Sequence, residues 1–552
     1  MENFDFDVIV VGSGFGGSVM TCRLAEKGYR VCLLERGREY GMGDFPRRIQ
    51  EMKNAVWDPE DHKYGLFEIM AHPDSDVCTV NASGLGGGSL IYSSVLQRME
   101  AESFYGWPGN IDAEELHPYY EKVLAAMQAE PYPFDDPFYR ATPKTQALKD
   151  AATRLSMETD GTAPPTGYFP PLGIWFKGDQ PGEQSKNMHD VLLAKCTKCG
   201  DCTIGCNIHA KNSLNLNYLA RARNQALLGA HGVAAEIRTR TIVTDIRPTA
   251  DKSGYTVTCQ QGNEQNQTTA TTLTAKKVVL ACGAVNTPAL LTRLKKKGSL
   301  PELGMPLGKH WCGNGDLEAN IHSSAYEMAP TIGPTITYAI RYKYKDYPDG
   351  FPHSAYIEDG GLPQLLSWYI VGILPSAGAL TRALQFILRA IKRLLGGRPL
   401  INVGDEVSRL IKNDHYLRHS MVLLCMGRDR SDGEVTVNEQ GDVIIKWRMD
   451  SSKLHLDRLS KAAENLSRAA AGKLQLNPLT YLDKLIAVHC LGGCVMADSP
   501  EQGVVDINGE VFGYPGLYIA DGSIIPSSTG PNPSLTIAAM AERIADRFPL
   551  KK

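Results

Sequence analysis

Asp7 to Val11 is a short apolar run, and Gly12-Ser13-Gly14-Phe15-Gly16-Gly17 follows it without a break. A run of that length closed by a glycine turn reads as a buried parallel strand. A helical pattern then extends to Lys27, and a second strand, Arg30 to Leu34, ends in Glu35. This βαβ unit constrains the chain more than any other feature. Gly12 permits the tight turn, Gly14 leaves room for a pyrophosphate at the helix N-terminus, and Gly17 lets helix and strand approach closely. Glu35 stands where an acidic side chain accepts a hydrogen bond from a ribose hydroxyl. The unit predicts dinucleotide binding but does not separate FAD from NAD.

Related signals recur far along the chain. Gly84-Leu85-Gly86-Gly87-Gly88-Ser89-Leu90 is a second loop that exposes backbone. Val279 to Pro288 reads as strand, glycine turn and helix start. Leu517 to Ser523 reads as a strand entering a turn, and Asn532-Pro533 opens a helix. At 552 residues the chain exceeds one simple core. The predicted fold class is α/β: a discontinuous Rossmann-type cofactor domain with an inserted α+β substrate-binding domain. The cofactor domain is drawn from 1–44, 77–120, 207–300 and 483–552, and the substrate or cap domain from 45–76, 121–206 and 301–482. Residues 41–77 read as irregular, and Pro131 to Gln184 as long surface loops.

These ordered motifs resemble the glucose–methanol–choline oxidoreductase family, most closely its cholesterol oxidase-like branch. The likeness is carried by the Gly84 loop, Lys211-Asn212-Ser213-Leu214 with Tyr218-Leu219, His489-Cys490-Leu491-Gly492-Gly493-Cys494, and Asp521 through Asn532-Pro533. It spans the chain, with weak patches between roughly 100 and 190 and between 320 and 480. The resemblance implies FAD, with Gly12, Gly14, Gly17 and Glu35 at the first loop and Gly84, Gly87, Gly88 and Ser89 at the second. It implies Val243 near the adenine, Asp521 and Gly522 by the pyrophosphate and ribityl chain, and Asn532-Pro533 by the isoalloxazine. Tyr92 departs from the branch, which has Asn there.

Oxidising an alcohol on a flavin requires a group that accepts or orients the hydroxyl proton, and a carbinol hydrogen aimed at the flavin N5. The resemblance implies His489 for the first task and Asn532 for hydrogen bonding the substrate oxygen. Cys490 replaces the usual Pro after that His. Glu358, in Tyr356-Ile357-Glu358-Asp359, falls near the carboxylate that cholesterol oxidases use for double-bond isomerisation, and it also reads as a solvated loop acid.

Cys196, Cys199, Cys202 and Cys206 have the spacing C-x2-C-x2-C-x3-C of a bacterial ferredoxin run, with Asn207 in place of the usual Pro. In ferredoxins the fourth such Cys serves a different cluster, so Cys206 is the weakest ligand and a remote Cys could complete the set. A zinc site or four reduced thiols are the alternatives, and long-chain fatty alcohol oxidases carry a similar Cys-rich segment. An iron–sulfur cluster would take electrons singly from the flavin and pass them to a protein or quinone acceptor.

Segment 362–404 contains no Asp or Glu. Leu380, Leu384, Ile387, Ile391 and Leu394 recur at helical spacing, with Arg382, Gln385, Arg389, Lys392 and Arg393 opposite. Such a helix suits a membrane interface, or equally the surface of the protein core. No run approaches the ~18 apolar residues of a membrane span. The N-terminus lacks a basic region and a cleavage site, so the expectation is a cytoplasmic protein, with peripheral membrane attachment left open. With 58 basic against 61 acidic residues, a bulk electrostatic grip on nucleic acid is excluded. The function expected is FAD-dependent oxidation of a hydrophobic alcohol, sterol-like or polycyclic. Long-chain fatty alcohol oxidation is the alternative within the class, and a non-catalytic electron-transfer or membrane-binding flavoprotein the alternative outside it.

Overall fold

Strand Phe6–Val11 lies at the centre of a seven-stranded sheet, with Val8, Ile9 and Val10 fully buried. The computed structural model of the chain describes residues 4–157, 164–263, 267–344, 354–367 and 414–551. Phe6–Val11 pairs in parallel with Val31–Leu34 on one side and with Thr268–Leu280 on the other. Glu236–Arg238 extends the sheet in parallel beyond Val31–Leu34, and Leu517–Ile519 joins Thr268–Leu280 in parallel. Tyr255–Gly262 and Thr241–Pro248 complete it as an antiparallel ribbon. Parallel strands buried on both faces need continuous apolar runs, which these segments supply. Truncating a residue such as Ile9 to Ala would cost about 2–5 kcal/mol.

Helix Phe15–Glu26 returns from the first strand and packs on the C-terminal helix Ser534–Arg547. Glu542, 2% exposed, fastens this contact: it accepts from Arg23 Nε at 2.8 Å and from the Tyr218 hydroxyl at 2.8 Å. An unpaired carboxylate there would be costly to bury, so the ion pair holds the two helices in one arrangement. That contact brings the 521–533 loop over the first glycine turn.

A second, wholly antiparallel sheet has the order Lys473–Leu476, Leu317–His322, Met421–Gly427, Ser354–Gly360, Ala339–Lys343, Thr166–Tyr168. Helices Pro143–Met157 and Lys453–Ala469 share one core with it, Leu148 and Leu466 meeting Ile321, Ile357 and Leu423. A smaller sheet, Leu485–Ala487, Val77–Ala82 and Phe67–Ala71, adds Val77, Leu485 and Ala487 to the same core and Phe67 to a small separate cluster.

Two expectations about loops are corrected. Residues 41–77 contain strand Phe67–Ala71, which pairs antiparallel with Val77–Ala82, so the boundary drawn at 76 falls inside a hairpin. The stretch from Pro131 to Gln184 contains the 15-residue helix Pro143–Met157. Its buried Leu148, Ala151, Ala152 and Leu155 have helical spacing, but flanking Pro, Gly and Asp mask it in the local composition. Most of 362–404 lies outside the described residues.

Candidate active site

The glycine turns have the geometry that close approach requires. Gly12 has φ +95°, and a Cβ there would meet Ala281 O at 2.4 Å. A Cβ on Gly17 would meet Gly12 O at 1.9 Å, and one on Gly16 would meet Ala520 O at 1.5 Å. Gly14 and Gly88 differ, since a Cβ on either meets nothing within 4 Å. Their backbone faces a cavity of about 520 Å³, within the range of cofactor and ligand sites.

The same cavity is lined by Gly12, Gly14, Glu35, Gly87, Gly88, Val243, Asp521, Gly522, Asn532 and Pro533. Gly17, Gly84 and Ser89 do not line it. Gly17 is spent on helix–strand contact. Ser89 Oγ donates to Gly86 O at 2.7 Å and accepts from Leu214 N at 3.0 Å, bracing the second glycine loop from behind. Gly84 lies in tight contact with Gly37, whose Cβ would meet Gly84 N at 2.2 Å. Glu35 is oriented by Ser13 N at 3.0 Å and Ser13 Oγ at 2.5 Å on one oxygen, and by Gly37 N at 2.8 Å on the other. Asp521 accepts from Gly283 N and Thr287 Oγ1 on one oxygen and from Ser523 N and Oγ on the other. Burial pushes its pKa up. These open backbone faces and oriented carboxylates fit an FAD. When bound, FAD supplies the hydride acceptor.

His489, Asn532 and Glu358 arrive at this same cavity from three separate elements. His489 follows strand Leu485–Ala487, and Asn532 precedes the C-terminal helix. Glu358 lies on Ser354–Gly360, an interior strand of the second sheet in which every residue is buried. The solvated-loop reading of Glu358 is therefore corrected: it is 2% exposed. The acid-rich Glu358-Asp359-Gly360 imitates a turn, but Asp359 is neutralised by Lys144, whose Nζ lies 2.6 Å away with both side chains fully buried. Asn532 Nδ2 donates to Glu358 Oε2 at 3.4 Å, while Asn532 Oδ1 is buried with no partner among the described residues. Burial pushes the Glu358 pKa up to about 8, although His489 and Asn532 oppose the shift.

Sequence reasoning missed Asp316. Its Oδ1 lies 2.6 Å from His489 Nδ1, and its Oδ2 accepts from Val488 N at 2.8 Å and His489 N at 3.1 Å. A carboxylate only accepts, so Nδ1 carries the proton and Nε2 presents a lone pair to the cavity. Burial pushes the imidazole's pKa down, and Asp316 together with Glu358 more than offsets this, so the net shift is upward. The signal for Asp316 is a polar Asn-Gly-Asp between strands, which has no spacing to His489 that a sequence could reveal.

The four cysteines of the ferredoxin-like run border one small, almost wholly apolar cavity. Cys206 Sγ accepts from Ala210 N at 3.2 Å and Lys211 N at 3.5 Å. Buried Lys211 donates to Cys202 O at 2.8 Å and Leu90 O at 3.0 Å, tying this loop to the second glycine loop. The adjacent Thr203 lines the large cavity. All four cysteines are free of disulfides. Among the described residues no group of three or more His, Cys, Asp or Glu is arranged to hold a single metal ion; the thiols surround a space rather than meet at a point.

A Rossmann-type sheet whose cavity ends in a His, an Asn and a carboxylate defines a flavin-dependent oxidoreductase. The chain belongs to the GMC oxidoreductase family: the N-terminal family profile matches residues 6–312 and the C-terminal profile residues 429–541. It is a FAD-dependent alcohol oxidoreductase. It is 29% identical to a cholesterol oxidase of Mycobacterium tuberculosis, over 99% of this chain and 92% of that protein. It is 27% identical to a cholesterol oxidase of Acinetobacter baumannii, over 100% and 96%. A long-chain-alcohol oxidase of Arabidopsis thaliana is 21% identical over 98% of this chain and 67% of that protein. Pyridoxine 4-oxidase from Mesorbium loti shares the fold, with TM-score 0.59 and 18% identity over 98% of this chain and 99% of that one.

Proposed function

We propose that the protein oxidises a hydrophobic alcohol, a sterol-like or other polycyclic alcohol first. The carrying observation is that His489, Asn532 and Glu358 line the same cavity as the glycine turns, with Asn532 bonded to Glu358. His489 Nε2 takes the hydroxyl proton, and Asp316 stabilises the resulting imidazolium. Asn532 holds the substrate oxygen. Glu358, neutral at physiological pH by virtue of its burial, is a second proton-bearing group beside it. Phe67, Ile336, Leu424, Met426 and Val488 also line the cavity and suit an apolar substrate body. The two similar proteins named cholesterol oxidase favour the sterol-like reading; the one named long-chain-alcohol oxidase supports the alternative.

In this reading the strands of the first sheet carry the cofactor domain and those of the second sheet the substrate domain. An iron–sulfur cluster, if bound, would be held by Cys196, Cys199 and Cys202, with Cys206 as the fourth ligand, and would supply a one-electron exit. The shared cavity and the amides on Cys206 support it, because N–H donors stabilise thiolate sulfur. Peripheral association with a cytoplasmic membrane face belongs to this reading on the strength of the acid-free sequence 362–404 alone. Among the described residues no helix is long and apolar enough to cross a membrane.

An anaerobic screen of sterols and long-chain alcohols, read by bleaching of the bound flavin, tests the function. Bleaching by a sterol supports the first reading, and bleaching by linear alcohols alone moves the assignment to fatty alcohols. A flavin that no alcohol reduces overturns both.

A further inference from the structure

Residues 313–316 connect to both members of the proton-handling pair. Cys312 and Leu491 exchange backbone hydrogen bonds at 3.0 Å, which lays the Gly313–Asp316 turn beside His489. Asp316 takes three hydrogen bonds from Val488 and His489. Asn314, two residues earlier, is fully buried and in a left-handed conformation, φ +59°. Its Oδ1 accepts from Thr529 N at 2.8 Å and Gly530 N at 3.2 Å, and its Nδ2 donates to Pro531 O at 3.0 Å. These bonds fix the loop that ends in Asn532. The turn is itself held, since Gly313 N donates to Asp429 Oδ2 at 3.0 Å and Gly427 N donates to Asn314 O at 3.2 Å.

The geometry points to Asn314 and Asp316 as positioning residues that set the separation of His489 and Asn532 from one rigid turn. Neither is assigned a catalytic role: Asp316 borders the cavity but both its carboxylate oxygens are engaged by Val488 and His489, and Asn314 does not line it. A left-handed buried Asn is tolerated where its side chain substitutes for backbone partners. Asp316 fixes the His489 tautomer and supports its positive charge. This rests on the proposal that His489 accepts the hydroxyl proton. The groups facing His489 are Asp316 and Glu358, and Cys490 and Asp429 lie close to Asp316.

The test is the pH profile of anaerobic flavin reduction by an alcohol substrate in the FAD-loaded protein. It is read in a Glu358→Gln background so that the acid limb belongs to His489. A base must be neutral to accept a proton, so the rate rises as pH passes the His489 pKa. Asp316→Asn is expected to move this limb to lower pH and slow the plateau at least about tenfold, less than the roughly 10²-fold at which loss of the base itself begins. Asn314→Asp is expected to slow reduction and raise KM without moving the limb, since it loses the donor to Pro531. An unmoved limb in Asp316→Asn, or wild-type reduction in Asn314→Asp, overturns the inference. Should Asp316→Asn not fold, Asp316→Glu keeps the charge but displaces it by a methylene. A slower rate with the limb in place then supports the inference, and a wild-type rate overturns it. His489→Ala separates the two levels: if it reduces flavin normally, the base assignment itself fails, whatever Asp316 does.

Discussion

Asn532 Nδ2 donates to Glu358 Oε2 at 3.4 Å, joining the loop before the C-terminal helix to an interior strand of the second sheet. Glu358 lines the cavity, and the Asn532 carbonyl oxygen beside it has no partner among the described residues. The loop and the second sheet thus share one polar patch, and its members are expected to respond together to substitution.

His489→Ala and Asn532→Ala are expected to retain FAD, because their side chains are not among those that anchor the glycine turns. Anaerobic flavin reduction should fall on the order of 10²-fold or more for His489→Ala, the usual worth of a positioned proton acceptor. Stopped-flow absorbance of the flavin measures it. Normal reduction in both variants would remove them from the mechanism.

Glu358 titrates near about 8 in the folded protein, against about 4.3 for an exposed Glu. Between those values the native state holds a proton that the unfolded chain has released, so stability falls as pH rises through this window. Glu358→Gln removes the dependence. Its melting temperature relative to the wild type should climb between about pH 5 and pH 8 and level off beyond. A difference that stays flat with pH would show that Glu358 is not held protonated.

Gly14→Ala and Gly17→Ala should part company. A Cβ on Gly14 has open space and an ordinary φ of −68°, so the flavin-free fold should change by less than about 1 kcal/mol. Its methyl group would stand on the open face of the glycine turn, and FAD retention should collapse. A Cβ on Gly17 collides with Gly12 O, so that variant should lose the fold itself. Circular dichroism and the flavin absorbance distinguish the two outcomes; full FAD retention by Gly14→Ala would place the pyrophosphate elsewhere.

Anaerobically prepared protein should contain iron and acid-labile sulfide in near-equal amounts, and its reduced form a paramagnetic signal distinct from a flavin radical. Cys196→Ser, Cys199→Ser and Cys202→Ser should each lose them, because a neutral hydroxyl replaces a soft thiolate poorly. Flavin reduction by alcohol should survive, while transfer to one-electron acceptors slows. Stoichiometric zinc with no iron would make the segment a structural clip.

The first βαβ unit was legible because its constraints are local. A buried strand, a turn that only glycine can make and an acidic strand end lie within Asp7 to Glu35, and each leaves a residue-type signature. His489 and Asn532 were legible for a different reason: the ordered motifs around them resemble a known family. Local composition misled where average polarity hid a pattern, as in helix Pro143–Met157, or where a buried acid looked like a turn, as at Glu358.

By itself, then, the sequence determined the cofactor-binding unit and the chemical types available: imidazole, amide, carboxylate and a run of thiols at ferredoxin spacing. Only the tertiary structure decided which of them meet. Asp316 and His489 are 173 residues apart and Asn314 and Gly530 are 216 apart, and no local propensity or periodicity records such pairings. They depend on how two sheets and the C-terminal helix pack. That same packing buries Glu358 and so decides its charge, because desolvation is a property of the finished fold rather than of the residue.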